Sequence, residues 1–525
     1  MVVSVSASRL FIPRYMASPI SHPREATSLP MNPVHRLPVN RLIGMADLTQ
    51  EAWLKKQVLQ NRITEVCGLH GYRCIETPIL EHTELFLRKS GGQLASQLYS
   101  FTDAGSNPVS LRPEFTSPIM RHYLECSAEI ELPVRWQYAG PVFRYEDGGG
   151  ASGQFTQIGA ELLGSSSIMA DAELFGLAAL IPMHLGLGAY TLELADLDLM
   201  NSVLGTANIS ERARALIITS LPQFRGVETP AASIQAVLDE ARKIGLTSSG
   251  GPHDYLSRGI IGLDDTQAKQ VLQGLLNWNS SGELGNSNAQ LGQRSPDDVV
   301  ERMLRKVRGS DTEENLRRAL ELAVRLASIR GEPGLAIEAA RLVVKESGAE
   351  PTALNRLEQF LELVLDDPSV GGHLAINLGM LRGLAYYNGI VFEVRHENWP
   401  TVLGGGGRYD ALASALGSRD SVPALGFAYN MDALLRLTDR DSGIDEPEGK
   451  TIVALVTGNG STNNSAALRT VHEMRRNGET VELDVSGLDL EACMAYARSK
   501  GILRVVVVGP NGNLIEHSVT SGKSS

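Results

Sequence analysis

The sequence predicts an α+β protein: an antiparallel sheet core with helices, a mostly helical insertion, and a small α/β domain at the C-terminus. Three observations predict it. Two strand-like runs, Val134–Glu146 and Gln154–Leu163, flank a Gly-rich turn at Gly148–Gly150 and read as a hairpin. The stretch from about Gly205 to Asp367 is rich in Ala, Leu, Glu and Arg, all good helix formers. After Lys450, the apolar β-branched runs Thr451–Val456, Thr480–Val485 and Leu503–Val508 alternate with helical segments, the pattern of a mainly parallel α/β unit.

Taken in order, residues 1–44 read as a tail. They are rich in Ser and Pro and hold five arginines against one acid, Glu25. An organelle transit peptide has such a composition. The prolines break any long amphipathic helix, which favours a disordered tail in a cytoplasmic protein. Met16, Met31 and Met45 are alternative starts. Leu59, Ile63, Val66 and Cys67 fall at helical spacing and predict an amphipathic helix over residues 48–69. Gly68 and Gly71 end it, and Cys74–Leu80 reads as an edge or irregular strand because of Pro78.

In the second hairpin strand, Gln157, Gly159 and Glu161 point one way and Ile158, Ala160 and Leu162 the other. That places Gln157 and Glu161 together above the sheet. The segment Asn277–Pro296 is a flexible loop by composition. Strands resume at Ala385–Val394, followed by Gly404–Gly407, where the backbone is expected to approach a ligand or a neighbouring strand closely. The resulting boundaries are 1–44 for the tail, 45–204 and 371–440 for the two parts of the core, 205–370 for the insertion, and 450–525 for the last domain.

Composition narrows the function. A chain of 525 residues needs about two to four cores. No apolar run has the length of a membrane span, so a soluble protein without membrane partners is expected. The net charge of −12 argues against a broad nucleic-acid footprint. Cys67, Cys74, Cys126 and Cys493 form no C-x-x-C and no Cys/His group with metal spacing, so no metal is expected. Gly458-Asn-Gly460 lacks the third glycine of a dinucleotide turn, with Asn463 in its place.

Four segments carry a family resemblance: Thr77–Ser90 (TPILEHTELFLRKS), Leu111–Arg121 (LRPEFTSPIMR), Phe143–Gly164 (FRYEDGGGASGQFTQIGAELLG), and Arg382–Glu393 (RGLAYYNGIVFE) with Gly405–Asp410 (GGGRYD) close behind. In this order they resemble motif 1, the R-P-E-x-T segment, motif 2 and the histidine signature of the histidyl-tRNA synthetases. The resemblance implies a class II aminoacyl-tRNA synthetase-like core and a C-terminal anticodon-binding-like domain. It also implies a homodimer through the motif 1 region.

It further implies a histidine pocket. A free amino acid requires carboxylates for its ammonium, donors for its carboxylate, and a polar partner with an aromatic wall for its ring. On the matching positions, Glu114, Thr116, Gln157 and Glu161 hold the ammonium and orient the ligand, and Tyr386, Tyr387 and Tyr409 contact the ring end. Arg144 and Arg382 match the arginines that address the α-phosphate or activated carboxylate, a task suited to a planar fork of donors.

The family pattern breaks in three places. Gly426–Leu434 (GFAYNMDAL) carries Ala433 where motif 3 has an arginine for the outer phosphates of ATP, and Arg436 lies a turn further on. The motif 2 loop, Asp147–Gly153, has no cation, and the signature's Asp is Ala385. Adenylate formation relies on positioning and charge neutralisation. On this ground the sequence predicts a histidine-binding regulatory subunit of ATP phosphoribosyltransferase, acting in histidine biosynthesis. It would have no catalytic residues and no cofactor, and would pair as a homodimer with a catalytic ATP phosphoribosyltransferase subunit. The alternative is an active histidine–tRNA ligase using ATP with Mg2+ and tRNA(His), with Arg144 and Arg382 in the catalytic role.

Overall fold

The computed structural model describes residues 39–88, 92–145, 153–224, 231–247, 311–380, 387–441, 451–456, 461–509 and 513–519, with residues 267 and 270. Most of the tail, the loop 146–152, the stretch Asn277–Pro296, Arg382, Ala385, Tyr386 and Gly458–Gly460 lie outside the described residues. The chain divides into Met1–Ile43 and Gly44–Ser525. Every element below belongs to the second unit.

The expected first helix runs Gln50–Leu69, with Thr49 capping it by accepting from the Ala52 N–H. Leu59, Ile63, Val66 and Cys67 form its buried stripe. The chain leaves through Gly71, whose φ of +82° suits glycine. The strands that follow are β1 (Arg73–Cys74), β2 (Leu80–His82), β3 (Ser100–Thr102), β4 (Pro108–Leu111), β5 (Val134–Phe143), β6 (Gln154–Leu163) and β7 (Tyr190–Asp196). After the insertion come β8 (Arg330–Gly331), β9 (Leu374–Asn377), β10 (Asn388–His396), β11 (Trp399–Arg408) and β12 (Ala424–Asn430). The last four are β13 (Thr451–Val456), β14 (Thr480–Leu483), β15 (Arg504–Val508) and β16 (Leu514–Ser518).

Nine strands make the main sheet in the order β1-β5-β6-β12-β11-β10-β7-β9-β8. Its centre is antiparallel, and the β1–β5 and β7–β9 pairs are parallel. The expected strand over Cys74–Leu80 is interrupted, because the carbonyls of Thr77 and Ile79 bond Arg112 instead of a neighbouring strand. β2, β4 and β3 form a separate antiparallel sheet, beside which Ile79, Leu80, Leu87 and Phe101 are exposed.

One face of the main sheet is apolar. Ile158, Ala160, Leu162, Phe427, Tyr429, Phe392 and Val394 join a core that also takes in the helices Gln50–Leu69, Ile168–His184 and Leu197–Gly205. The insertion supplies five described helices: Glu211–Ser220, Ala231–Lys243, Glu313–Ala327, Pro333–Ser347 and Thr352–Val364. Glu313–Ala327 buries Leu316, Ala319, Leu320, Ala323 and Leu326 in the same core. The insertion is not wholly helical, since β8 lies inside it and joins the sheet through β9. A two-residue strand has no periodicity to read.

The opposite face is paved with small residues. Register places Tyr138 and Gly140 beside Gly159 and Gln157, and Gly426 and Ala428 beside Glu161 and Gly159. Gly407 and Gly405 continue the row opposite Gly426 and Ala428. The expected close approach at Gly404–Gly407 is between strands: a Cβ on Gly406 would stand 2.1 Å from the Gly426 carbonyl oxygen. The C-terminal residues form the expected α/β unit, with parallel β14-β13-β15 and antiparallel β16. Among the described residues no helix is long and apolar enough to cross a membrane.

Candidate active site

Glu161 is the centre of the small-residue face. Only 1% of it is exposed. Its carboxylate is held by three hydroxyls: Thr116 Oγ1 donates to Oε1 at 2.9 Å, Tyr138 OH to Oε1 at 3.2 Å, and Tyr409 OH to Oε2 at 2.5 Å. Thr116 opens the helix Thr116–Cys126, Tyr138 stands on β5, and Tyr409 follows β11. Gly426 makes room for the group, since a Cβ there would lie 1.4 Å from Oε2. Burial pushes the Glu161 carboxyl up to about 8 against the opposing pull of the Tyr409 and Thr116 hydroxyls, and the nearby Glu114 raises it further. No cation forms an ion pair with it among the described residues. A buried carboxylate of this kind is set to receive a ligand's positive charge.

Glu114 is the second buried acid, accepting from the Ser117 N–H at 3.1 and 3.2 Å. Burial raises its pKa too. Gln157 lies beside Gly140 and Asn430, and its buried Oε1 has no hydrogen-bond partner among the described residues. Tyr387 approaches Gly407, where a Cβ would meet its ring at 3.1 Å. Arg144 donates Nε–H to the Pro113 carbonyl at 3.0 Å, with its guanidinium 5.2 Å from the Phe155 ring centre.

The structure therefore brings Thr116, Tyr409 and Glu161 into direct contact and sets Gln157 and Tyr387 along the same face. Glu114 is anchored on the Ser117 N–H and Arg144 on the Pro113 carbonyl, both in the chain segment that carries Thr116. Arg382 and Tyr386 lie outside the described residues. Ala433 is packed in the apolar core and its N–H, like that of Asp432, is capped by Asn430 Oδ1 at 3.1 Å. Arg436 is exposed. Sequence reasoning missed Tyr138, although alternation along β5 puts it on the same face as Glu161 through its partner Gly159. It also missed Gly426. Among the described residues there is no His/Cys/Asp/Glu cluster suited to a metal ion.

A glycine-paved antiparallel sheet, with buried carboxylates and the motif 2 arginine at its edge, is the core of a class II aminoacyl-tRNA synthetase fold. Solved structures agree. An ATP phosphoribosyltransferase regulatory subunit/histidyl-tRNA synthetase from Bacillus halodurans superposes with a TM-score of 0.57 at 23% identity, covering 89% of this chain and 97% of that one. Histidyl-tRNA synthetase from Nostoc sp. gives 0.55 at 16% identity, covering 92% and 97%.

The histidyl-tRNA synthetase family model matches residues 44–243 and 297–434, and the chain belongs to that family. The histidine–tRNA ligase of Methanocaldococcus jannaschii is 27% identical over 467 residues, 89% of this chain and 91% of the relative. That of Pyrococcus furiosus is 26% identical over 476 residues, 90% and 91%. These relatives overturn the expectation of a regulatory subunit of ATP phosphoribosyltransferase, because chains matched over nine-tenths of their length carry the ligase name. The misleading signal is local: Ala433 and the uncharged motif 2 loop are a few positions, whereas the family match runs over residues 44–243 and 297–434.

Proposed function

We propose that this chain is a histidine–tRNA ligase that joins histidine to ATP, with Mg2+, as histidyl-adenylate and then charges tRNA(His). What carries the ligase reading is the match, over about nine-tenths of the chain, to relatives named histidine–tRNA ligase. What supports a histidine pocket is Glu161, a buried carboxylate with no ion-pair partner among the described residues, aimed by three hydroxyls above a floor of glycines. Glu161 and Glu114 hold the ammonium of histidine, while Thr116 and Gln157 orient it. Tyr409 and Tyr387, with Tyr386, line the ring end. The histidine carboxylate then attacks the α-phosphorus of ATP and pyrophosphate leaves. Arg144 and Arg382 neutralise the charge gathering there. Two copies pair through the segment bearing the exposed Ile79, Leu80, Leu87 and Phe101.

Histidine-dependent ATP–pyrophosphate exchange tests the reading without requiring the right tRNA. Exchange at a synthetase-like rate is expected. No exchange from a protein that still binds histidine would overturn the ligase assignment while leaving the pocket standing.

Binding should also release a proton. With its carboxyl pushed up to about 8, Glu161 is mostly neutral in the free protein at pH 7. A bound ammonium favours the carboxylate, so the proton leaves as histidine enters. Affinity therefore rises with pH below that value, roughly ten-fold between about pH 6.5 and 8. Calorimetry in buffers of different ionisation enthalpy should show close to one proton released near pH 7. An enthalpy independent of buffer would contradict the assignment of Glu161.

A further inference from the structure

Arg112 is 1% exposed, and among the described residues no carboxylate forms an ion pair with it. Burial lowers its pKa to about 10, and it remains a cation at neutral pH. A buried charge of this kind is costly unless its donors are satisfied and its position fixed. Its donors go to main chain. Nη1 donates to the Thr77 carbonyl at 2.6 Å and Nε to the Pro141 carbonyl at 2.9 Å. Its own N–H donates to the Ile79 carbonyl at 2.8 Å, and its carbonyl accepts from the Phe143 N–H at 3.0 Å. One residue thus joins the chain around Thr77–Ile79 to the C-terminal end of β5.

The guanidinium also begins a stack. It lies 3.9 Å from the Phe115 ring centre, and Phe115 lies flat on Tyr138, with centroids 4.3 Å apart and planes at 16°. The Tyr138 hydroxyl, at the far end, donates to Glu161. Gly140 keeps the space open: a Cβ there would stand 2.6 Å from Nη2 and 3.0 Å from the Phe115 ring. Phe115 sits between Glu114 and Thr116, so the ring clamped by Arg112 also sets the segment that carries two further pocket groups.

We infer that Arg112 is a positioning residue for the ligand pocket, acting through the Arg112–Phe115–Tyr138 stack to hold the donors that face Glu161. The inference rests on the histidine pocket proposed above and adds a residue that does not itself touch the ligand. Lysine cannot replace arginine here, because an ammonium has no flat face for Phe115 and no fork to span the Thr77 and Pro141 carbonyls.

The test is calorimetric titration of the full-length protein with histidine and, separately, with ATP, for the wild type and Arg112→Lys. The substitution keeps the charge and should weaken histidine binding by about ten-fold, one misplaced hydrogen-bonded group's worth. ATP affinity should change less than two-fold. The pH midpoint of histidine binding should move upward, because a carboxylate with a poorly placed donor is harder to ionise.

Unchanged histidine affinity, or parallel losses for both ligands with the pH midpoint fixed, would overturn the inference. If Arg112→Lys does not fold, Phe115→Leu cuts the stack at its middle. The same split between ligands then supports the inference, and wild-type histidine affinity in that variant overturns it. A wild-type protein that does not bind histidine would instead remove the pocket reading itself, and this inference with it.

Discussion

Replacing Glu161 by alanine is expected to abolish measurable histidine binding. Truncating the acidic half of a buried, hydrogen-bonded charge pair costs about 2–5 kcal/mol, an affinity loss of roughly 30- to several-thousand-fold. The hydroxyls of Thr116, Tyr138 and Tyr409 all end on this carboxylate, so its removal also leaves the pocket without its acceptor. Isothermal titration reads the effect directly, and unchanged affinity would refute the pocket. Thermal stability should respond far less. The folded-state pKa of Glu161 is raised above the usual carboxylate value, so its ionisation opposes folding increasingly as pH climbs toward about 8. Alanine removes that penalty, which offsets part of the cost of leaving the Thr116, Tyr138 and Tyr409 hydroxyls without their acceptor.

Asp171→Ala should show the reverse pattern, with a large loss of stability. Asp171 and Arg408 are 4% and 3% exposed, and Asp171 Oδ1 accepts from Arg408 Nη2 at 2.7 Å and Nε at 3.0 Å. Oδ2 accepts from Arg356 at 2.9 Å, an arginine on the insertion helix Thr352–Val364. Removing Asp171 leaves the Arg408 charge beside Leu174, Phe175 and Phe392, with Asp410 as its remaining ion-pair partner among the described residues. Breaking a buried pair in this way costs about 3–5 kcal/mol, and the unfolding midpoint should fall by several degrees. Asp171→Leu combined with Arg408→Met should recover much of the loss, since apolar replacement of both partners is often neutral. A midpoint unchanged in Asp171→Ala would show that the pair contributes nothing net.

The local signals in the sequence were the ones that the fold kept. Leu59, Ile63, Val66 and Cys67 mark the first helix because one buried face repeats at helical spacing. Gln157 and Glu161 share a face because strand side chains alternate. The C-terminal unit was legible because its β-branched runs are separated by helices long enough for crossovers. The contacts between distant segments were not legible. Asp171 meets Arg408 across 237 positions, and Tyr138 reaches Glu161 only through the pairing of β5 with β6. β8 is too short to leave a pattern, and its place beside β9 is decided by the open edge of the sheet.

Function is less legible than fold in this sequence. Ala433 replaces an expected cation, but a missing group says nothing about which neighbours share its task. Glu161 and its hydroxyls were each visible as single letters. What makes them a site is their convergence on one carboxylate, which is a property of the folded sheet.

The outer margin of that sheet has a consequence for how the chain behaves in a crowded solution. β1 covers only Trp136 and Gln137 of β5, so the longer strand runs on past its neighbour. A bare strand margin is adhesive and recruits other chains into fibrous aggregates. Here Pro141 has no N–H to offer, its carbonyl is taken by Arg112, and so is the N–H of Phe143. A single side chain and its own backbone thus take up the groups that this stretch of the margin would otherwise leave open to another strand.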